Sequence, residues 1–318
     1  MQQEAKLAAP AQAKGAAPTV GALFWDTVRQ HGSRPAQEWH NGAAWVSRTY
    51  AEFGAAVRDV AHGLLALGVK KGDRVALWSR NSPQWGEVDF ANQTAGFATV
   101  PLYDTLTGEK GAYILADAGA KALFVQDASL LARLAPLRES LPDLKHVVLM
   151  AGEPPGPGVL SYAEFLEKGR AWGKRNPKAL DGMLAGLDPA DLASLVYTSG
   201  TTGEPKGVML TQGNFASNAA CMHLVDVGPE DVFLSFLPLS HVFERTGGDF
   251  GAYGLGAKVV FARSLETLMD DMQAARPTIM MAVPRLYEKM HARVQESIAG
   301  QPWIKRRLFA WALGVGRQ

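Results

Sequence analysis

Apolar and polar positions change period several times along the chain. After Thr49-Tyr50-Ala51-Glu52, whose threonine and glutamate form a capping-box pattern, Phe53, Val57, Val60, Leu64 and Leu67 recur at spacings of four and three before Gly68. That is one face of a helix with a glycine stop. Upstream, Asn41-Gly42 between Trp39 and Trp45 predicts a two-residue hairpin turn. From Asp73 short apolar runs alternate with helical patterns. Arg74 to Trp78, Ala98 to Leu102, Ala122 to Val125 and Val147 to Met150 read as strands, with Ser82-Pro83 as an N-cap and first helical residue and helices near 108–118 and 128–140. A Pro/Gly-rich loop, Glu153 to Gly158, closes this series. A second begins near Leu192. Thr211 caps a helix running through Cys221 towards Val227, strands follow at Val232–Phe236, Lys258–Phe261 and Thr278–Val283, and helices fall near 242–255 and 264–275. Alternation of this kind predicts parallel sheets with helical crossovers, here in paired α/β lobes.

The two series meet at the most informative stretch, Tyr197-Thr198-Ser199-Gly200-Thr201-Thr202-Gly203-Glu204-Pro205-Lys206-Gly207. Apolar residues lead in (Leu192, Leu195, Val196) and out (Val208, Met209, Leu210) of four aliphatic hydroxyls, three glycines and a lysine. Small residues let the backbone approach an anion. Hydroxyls and free amides donate to phosphate oxygens, and lysine adds a mobile positive charge. The common P-loop is excluded, because Gly207 follows Lys206 where that motif needs Ser or Thr.

This stretch resembles the phosphate-binding signature of the AMP-forming adenylating enzymes: acyl-CoA synthetases, luciferase-like ligases and peptide-synthetase adenylation domains. Phe236-Leu237-Pro238-Leu239-Ser240-His241-Val242-Phe243-Glu244-Arg245 and Val283-Pro284-Arg285-Leu286-Tyr287-Glu288-Lys289 resemble the long-chain fatty acyl-CoA synthetase branch, and Val100-Pro101-Leu102-Tyr103-Asp104-Thr105 does so more weakly. The resemblance implies an α/β fold, the large N-terminal domain of the adenylate-forming enzymes. Its expected divisions are a disordered tail over 1–19, a first lobe over 20–190 and a second over 191–318. That family's Tyr-Gly-x-Thr-Glu and Thr-Gly-Asp blocks, and the small C-terminal domain bearing a lysine, have no counterpart here. The expected protein is therefore the front part of such an enzyme, incomplete at its C-terminus and inactive alone.

The implied activity has two steps: a fatty carboxylate attacks ATP to give acyl-AMP and pyrophosphate, and coenzyme A then takes the acyl group. On that reading Thr198, Ser199, Gly200, Thr201, Thr202, Gly203 and Lys206 grip the β- and γ-phosphates, Thr198 neighbours a magnesium ion, and Lys206 and His241 are the catalytic candidates. His241 flanks the carboxylate and the α-phosphate, with Val242 and Phe243 lining the pocket. Taken without the resemblance, His241 is a helix cap or core-edge residue, and Glu244 and Arg245 are surface charges whose ion pairs contribute at most ~1 kcal/mol. Two other readings stay open: an ATP- or acyl-binding module without chemistry, and an acyl-AMP ligase serving a carrier protein.

Composition narrows the picture. The chain has 318 residues, 47% of them hydrophobic, enough for a substantial core. A formal charge of +1, from 32 basic and 31 acidic side chains, calls for no nucleic-acid partner. Cys221 is the single cysteine and the seven histidines show no close pair at metal-ligand spacing, which suits a cytoplasmic protein without a cysteine metal site. Gly247, Gly248, Gly251, Gly254 and Gly256 are in the wrong order for a dinucleotide fingerprint and read as close helix packing, with room for an acyl channel. The segment Pro302 to Leu313 is basic and aromatic. It reads either as a packing helix or as a peripheral membrane contact.

Overall fold

Near-continuous apolar runs make buried parallel strands, and the larger of the two sheets is built mainly from them. The computed structural model describes residues 19–198 and 204–316. Its larger sheet has seven strands in the order β7-β6-β5-β3-β4-β8-β9: β3 Arg74–Trp78, β4 Ala98–Leu102, β5 Ala122–Val125, β6 His146–Leu149, β7 Val159–Ser161, β8 Leu192–Thr198 and β9 Lys206–Thr211. All neighbours are parallel except the β8–β9 pair. The second sheet has the order β10-β11-β1-β2, with β1 Pro35–His40, β2 Trp45–Thr49, β10 Val232–Ser235 and β11 Lys258–Phe261. Sheet membership thus crosses the expected boundary at 190/191. The early hairpin β1–β2 completes a sheet begun by late strands, and the later pair β8–β9 extends the early one.

Helices follow the caps written in the sequence. The helix α2, Tyr50–Ala66, starts at a formed capping box, Thr49 accepting from the Glu52 amide and Glu52 from the Thr49 amide, and its Phe53, Val57, Val60 and Leu64 are fully buried. Ser82 caps α3, Pro83–Ala95, with proline at its first position, and all of α3 except Gln84 is buried. Thr19, placed in the tail by the sequence reading, is the N-cap of an unforeseen helix α1, Val20–His31. Phe24 of α1 stacks on Phe90 of α3 at 4.4 Å between ring centroids. The expected tail over 1–18 lies outside the described residues.

Three local expectations change. The hairpin loop is Asn41–Ala44, not two residues, because Asn41 closes it with its own amide on Ala44 O and with Oδ1 accepting from the amides of Ala43 and Ala44. Past α4, Gly108–Asp117, the stretch 128–140 breaks into α5, Ala128–Ala132, and a 3-10 turn, Ala135–Ser140, with Pro136 in its first turn. Of Thr278–Val283, only Ile279 bridges to Phe233.

The remaining helices of the first unit are α6, Tyr162–Arg175, α7, Ala179–Ala185, α8, Gln212–Ala220, a short α9, Ala252–Gly254, and α10, Leu268–Ala275. A π-helical segment, Glu244–Gly251, precedes α9. The chain divides into two compact units, Met1–Met280 and Met281–Gln318. The second holds α11, Pro284–Ala299, and α12, Trp303–Gly316.

Candidate functional site

The pairing of β4 with β8 is fixed at Thr99 against Ser194, and two residues on Pro101 has no amide to continue it. There a cavity of ≈ 380 Å³ opens. Pro101 of β4 and Val196 of β8 line it, Tyr103 and Leu106 come from the loop after β4, Lys110 and Ile114 from α4, and Tyr197, Thr198 and Pro205 from the β8–β9 hairpin. His241 and Val242 complete the wall from the turn after β10. Thr198 and His241, 43 positions apart in sequence, thus line one space.

Thr198 and Lys206 are directly paired across the antiparallel ladder, so their side chains share a face, and both are exposed. Lys206 stands beside the cavity's Thr198 without being one of the lining residues. The same ladder explains Gly207. It pairs with Tyr197, and a Cβ there would sit 3.0 Å from Tyr197 Cζ. The Tyr197 hydroxyl donates to Asp117 Oδ2 at 2.6 Å, tying the loop's entry strand to the end of α4. Burial, then that hydrogen bond and the Asp117 charge, hold the phenol well above its ordinary pKa. Ser199, Gly200, Thr201, Thr202 and Gly203 lie outside the described residues.

His241 sits on a turn closed by its own amide on Pro238 O at 2.9 Å. Its Nδ1 accepts from the Phe243 amide at 3.2 Å, which in the neutral ring leaves the proton on Nε2 as a donor. Val242 lines the cavity, whereas Phe243 is 42% exposed and is not among the lining residues.

The next two residues correct the sequence reading. Glu244 and Arg245 are buried, at 1% and 0% exposure. Arg245 donates Nε to Asp89 Oδ2 (2.7 Å), Nη2 to Asp89 Oδ1 (2.5 Å) and Nη1 to Ser194 Oγ (2.7 Å). Its guanidinium lies 5.0 Å from the Phe215 ring centroid and 5.1 Å from that of Phe250. Asp89 also accepts from Thr99 Oγ1 at 2.6 Å. Among the described residues, Glu244 has no such partner for either carboxyl oxygen. Burial pushes its pKa up to about 8, with the nearby Ser235 hydroxyl opposing the shift. Asp249, likewise without a hydrogen-bond partner for its carboxyl oxygens among the described residues, is driven up by burial and by the Asp89 charge. The glycines around them serve packing: a Cβ at Gly248 would meet Glu244 Oε1 at 2.8 Å, and one at Gly251 would meet Met222 Cγ at 2.7 Å.

Sequence reasoning missed Lys110 and Tyr103 as lining residues. The Val100–Thr105 block pointed to this place without saying which side chains face inward. Among the described residues, no group of three or more His, Cys, Asp or Glu could hold a metal ion, and no helix is long and apolar enough to cross a membrane.

Comparison with known proteins bears on this geometry. The AMP-binding enzyme model matches residues 24–308. The chain is 35% identical over 280 residues to long chain acyl-CoA synthetase 7, peroxisomal, of Arabidopsis thaliana, covering 85% of this chain and 39% of that protein. It is 32% identical over 308 residues to the long-chain-fatty-acid–CoA ligase ACSBG1 of Homo sapiens, covering 93% and 42%. Among solved structures, the inhibitor-bound N-terminal domain of FACL13 from Mycobacterium tuberculosis superposes with a TM-score of 0.70 at 25% identity, over 86% of this chain and 64% of that one. The anthranilate CoA ligase AuaEII, in complex with anthranoyl-AMP, gives 0.73 at 22% identity, over 85% and 50%. The chain spans about two fifths of the length of the curated relatives it matches.

Proposed function

The chain belongs to the AMP-binding enzyme family, and on that premise we propose that it is the front part of a long-chain fatty acid:CoA ligase whose described cavity meets the carboxylate and the triphosphate of ATP. In the first step a carboxylate oxygen bonds to the α-phosphorus as the bond to pyrophosphate breaks. In the second, the thiol of coenzyme A takes the acyl group and AMP leaves.

The observation that carries this reading is the meeting of Thr198 and His241 on one cavity, with Lys206 paired directly across from Thr198. A hydroxyl, an imidazole N–H and two ammonium groups, Lys206 and Lys110, are the donors an anion needs, and Thr198, Lys110 and His241 share their space with the apolar Pro101, Leu106, Ile114, Val196 and Val242. Their task is to hold charge in line while it moves onto pyrophosphate. Lys206 acts as a point charge on a flexible stem. Ser199 to Gly203 supply further hydroxyls and amides to the β- and γ-phosphates. Thr198 would be the hydroxyl beside a magnesium ion, whose charge would help to neutralise the triphosphate. An exposed apolar set on α12 (Trp303, Ile304, Trp311) next to Lys305, Arg306 and Arg307 suits peripheral contact with a lipid surface that delivers the acid.

The test is carboxylate-dependent exchange of labelled pyrophosphate into ATP, measured in this chain and in a form extended past residue 318. Exchange dependent on a long-chain acid in the extended form is the expected result. Exchange in neither form removes the ligase reading and leaves a binding module. Exchange without acyl transfer to coenzyme A points to the carrier-protein alternative.

A further inference from the structure

Among the described residues the His241 side chain has one hydrogen bond, the local one from the Phe243 amide at 3.2 Å, so its direction depends on how the backbone around it is held. On the upstream flank stands Asn81, between β3 and the N-cap of α3. Its Nδ2 donates to Leu237 O at 2.7 Å and to Ser235 Oγ at 2.9 Å, and its Oδ1 accepts from the Leu239 amide at 2.9 Å. Both N–H groups of the carboxamide are thereby spent on one segment, at alternate residues leading into the Pro238–His241 turn. On the downstream flank the Arg245 amide donates to His241 O at 3.1 Å, and the Arg245 guanidinium grips Asp89 in the middle of α3. Both anchors therefore belong to α3 or to the residues just before it, and α3 is buried along nearly its whole length.

We propose that Asn81 is a positioning residue for His241. Together with the Asp89–Arg245 pair it makes α3 a two-point clamp that sets where the imidazole points in the cavity and which nitrogen it presents. This rests on the reading of His241 given above, and concerns orientation only: Asn81 need touch neither substrate.

The experiment is nitrogen-15 NMR of the imidazole in this chain, with His241→Ala to assign its signals. Wild type should show the Nε2–H tautomer predominating, and Asn81→Ala should move the two ring-nitrogen shifts towards an averaged tautomer and speed diethyl pyrocarbonate modification of His241 several-fold. Asn81→Asp, which keeps the acceptor for Leu239 but loses both donors, should fall between. Thr49→Ala, which removes the capping box of α2, should leave both signals unmoved. Unchanged tautomer and reactivity in folded Asn81→Ala overturn the proposal. Should that variant not fold, amide exchange in wild type decides: a protected Leu239 N–H supports the clamp, and exchange at the rate of an open loop refutes it. In the extended form the expected loss on Asn81→Ala is ~10–100-fold in the rate of pyrophosphate exchange with little change in the KM for ATP. A shifted tautomer with full exchange activity would leave the clamp standing and remove the role given to His241.

Discussion

The cavity's two polar walls are built on opposite terms. Along β8 and β9, Thr198 and Lys206 face one another at the loop end of an edge hairpin, both in contact with solvent. Around His241 the charges are inside: Arg245 and Asp89 are fully buried against each other, and Glu244 and Asp249 are buried beside them. A solvated ammonium keeps its hydration, carries little folding energy and stays available to an arriving anion. Buried charges are strongly coupled to their neighbours and fix geometry at a desolvation cost. The difference suits two tasks, gathering a mobile polyphosphate on one wall and holding direction on the other.

The sharpest way to break this contrast is Asp89→Ala. It leaves the Arg245 guanidinium buried without its carboxylate, and the expected cost is about 3–5 kcal/mol of folding stability in urea unfolding. A cost below about 1 kcal/mol would mean that the buried charges behind His241 tolerate the loss of a partner and that the two walls do not differ as described.

Next in size is Glu244→Gln. Between the ordinary value of 4.5 and about 8, the folded chain keeps a proton on Glu244 that the unfolded chain has released. Stability must therefore decline as pH rises through that window and level off above it. The glutamine variant removes this contribution and should be more stable than wild type at pH 9 by a few kcal/mol (order of magnitude). Near pH 4 the two should converge. Part of the slope will persist, since burial and the Asp89 charge push Asp249 the same way. Parallel pH profiles for the two proteins would show that Glu244 is not held protonated.

The same contrast governs what the sequence could reveal. Short-range patterns were readable: the Thr49 and Ser82 caps, the strands at 74–78, 98–102, 122–125 and 258–261, and the two strands that flank the hydroxyl-glycine-lysine stretch. Pairings set by tertiary structure were not. Nothing local to Arg245 announces Asp89, 156 positions earlier, and so a charged pair after His241 read as surface. Asn81 reads as a loop residue before a cap, and its partners come 154 or more positions later. Likewise, no periodicity in β1–β2 indicates that it joins β11. The glycine-rich stretch after His241 suggested helix but not its π-helical form, which places Glu244 inward against Gly248.

A smaller effect probes how the exposed wall is anchored. Gly207→Ala would bring a methyl group to 3.0 Å from Tyr197 Cζ and 3.2 Å from its hydroxyl oxygen. The ring must give by a few tenths of an ångström, straining its hydrogen bond to Asp117. The expected loss is ~1 kcal/mol, read by thermal unfolding and by a fall in the raised phenol pKa of Tyr197. Gly207→Ala combined with Tyr197→Phe should cost less than the sum of the two, because they share one contact.

Least of all in stability, and most telling for the contrast, is Lys206→Ala. An exposed ammonium at the end of an edge strand should leave urea unfolding within about ±0.5 kcal/mol of wild type. Its effect should appear only when an anion is offered. Pyrophosphate binding, followed by calorimetry, should weaken, and it should depend less on ionic strength than in wild type, since one of the charges that salt screens is gone. Were the substitution instead to destabilise the fold by more than about 1 kcal/mol with anion binding unchanged, Lys206 would be supporting the hairpin. The wall assigned to gathering phosphate would then serve the fold no less than the wall that holds His241.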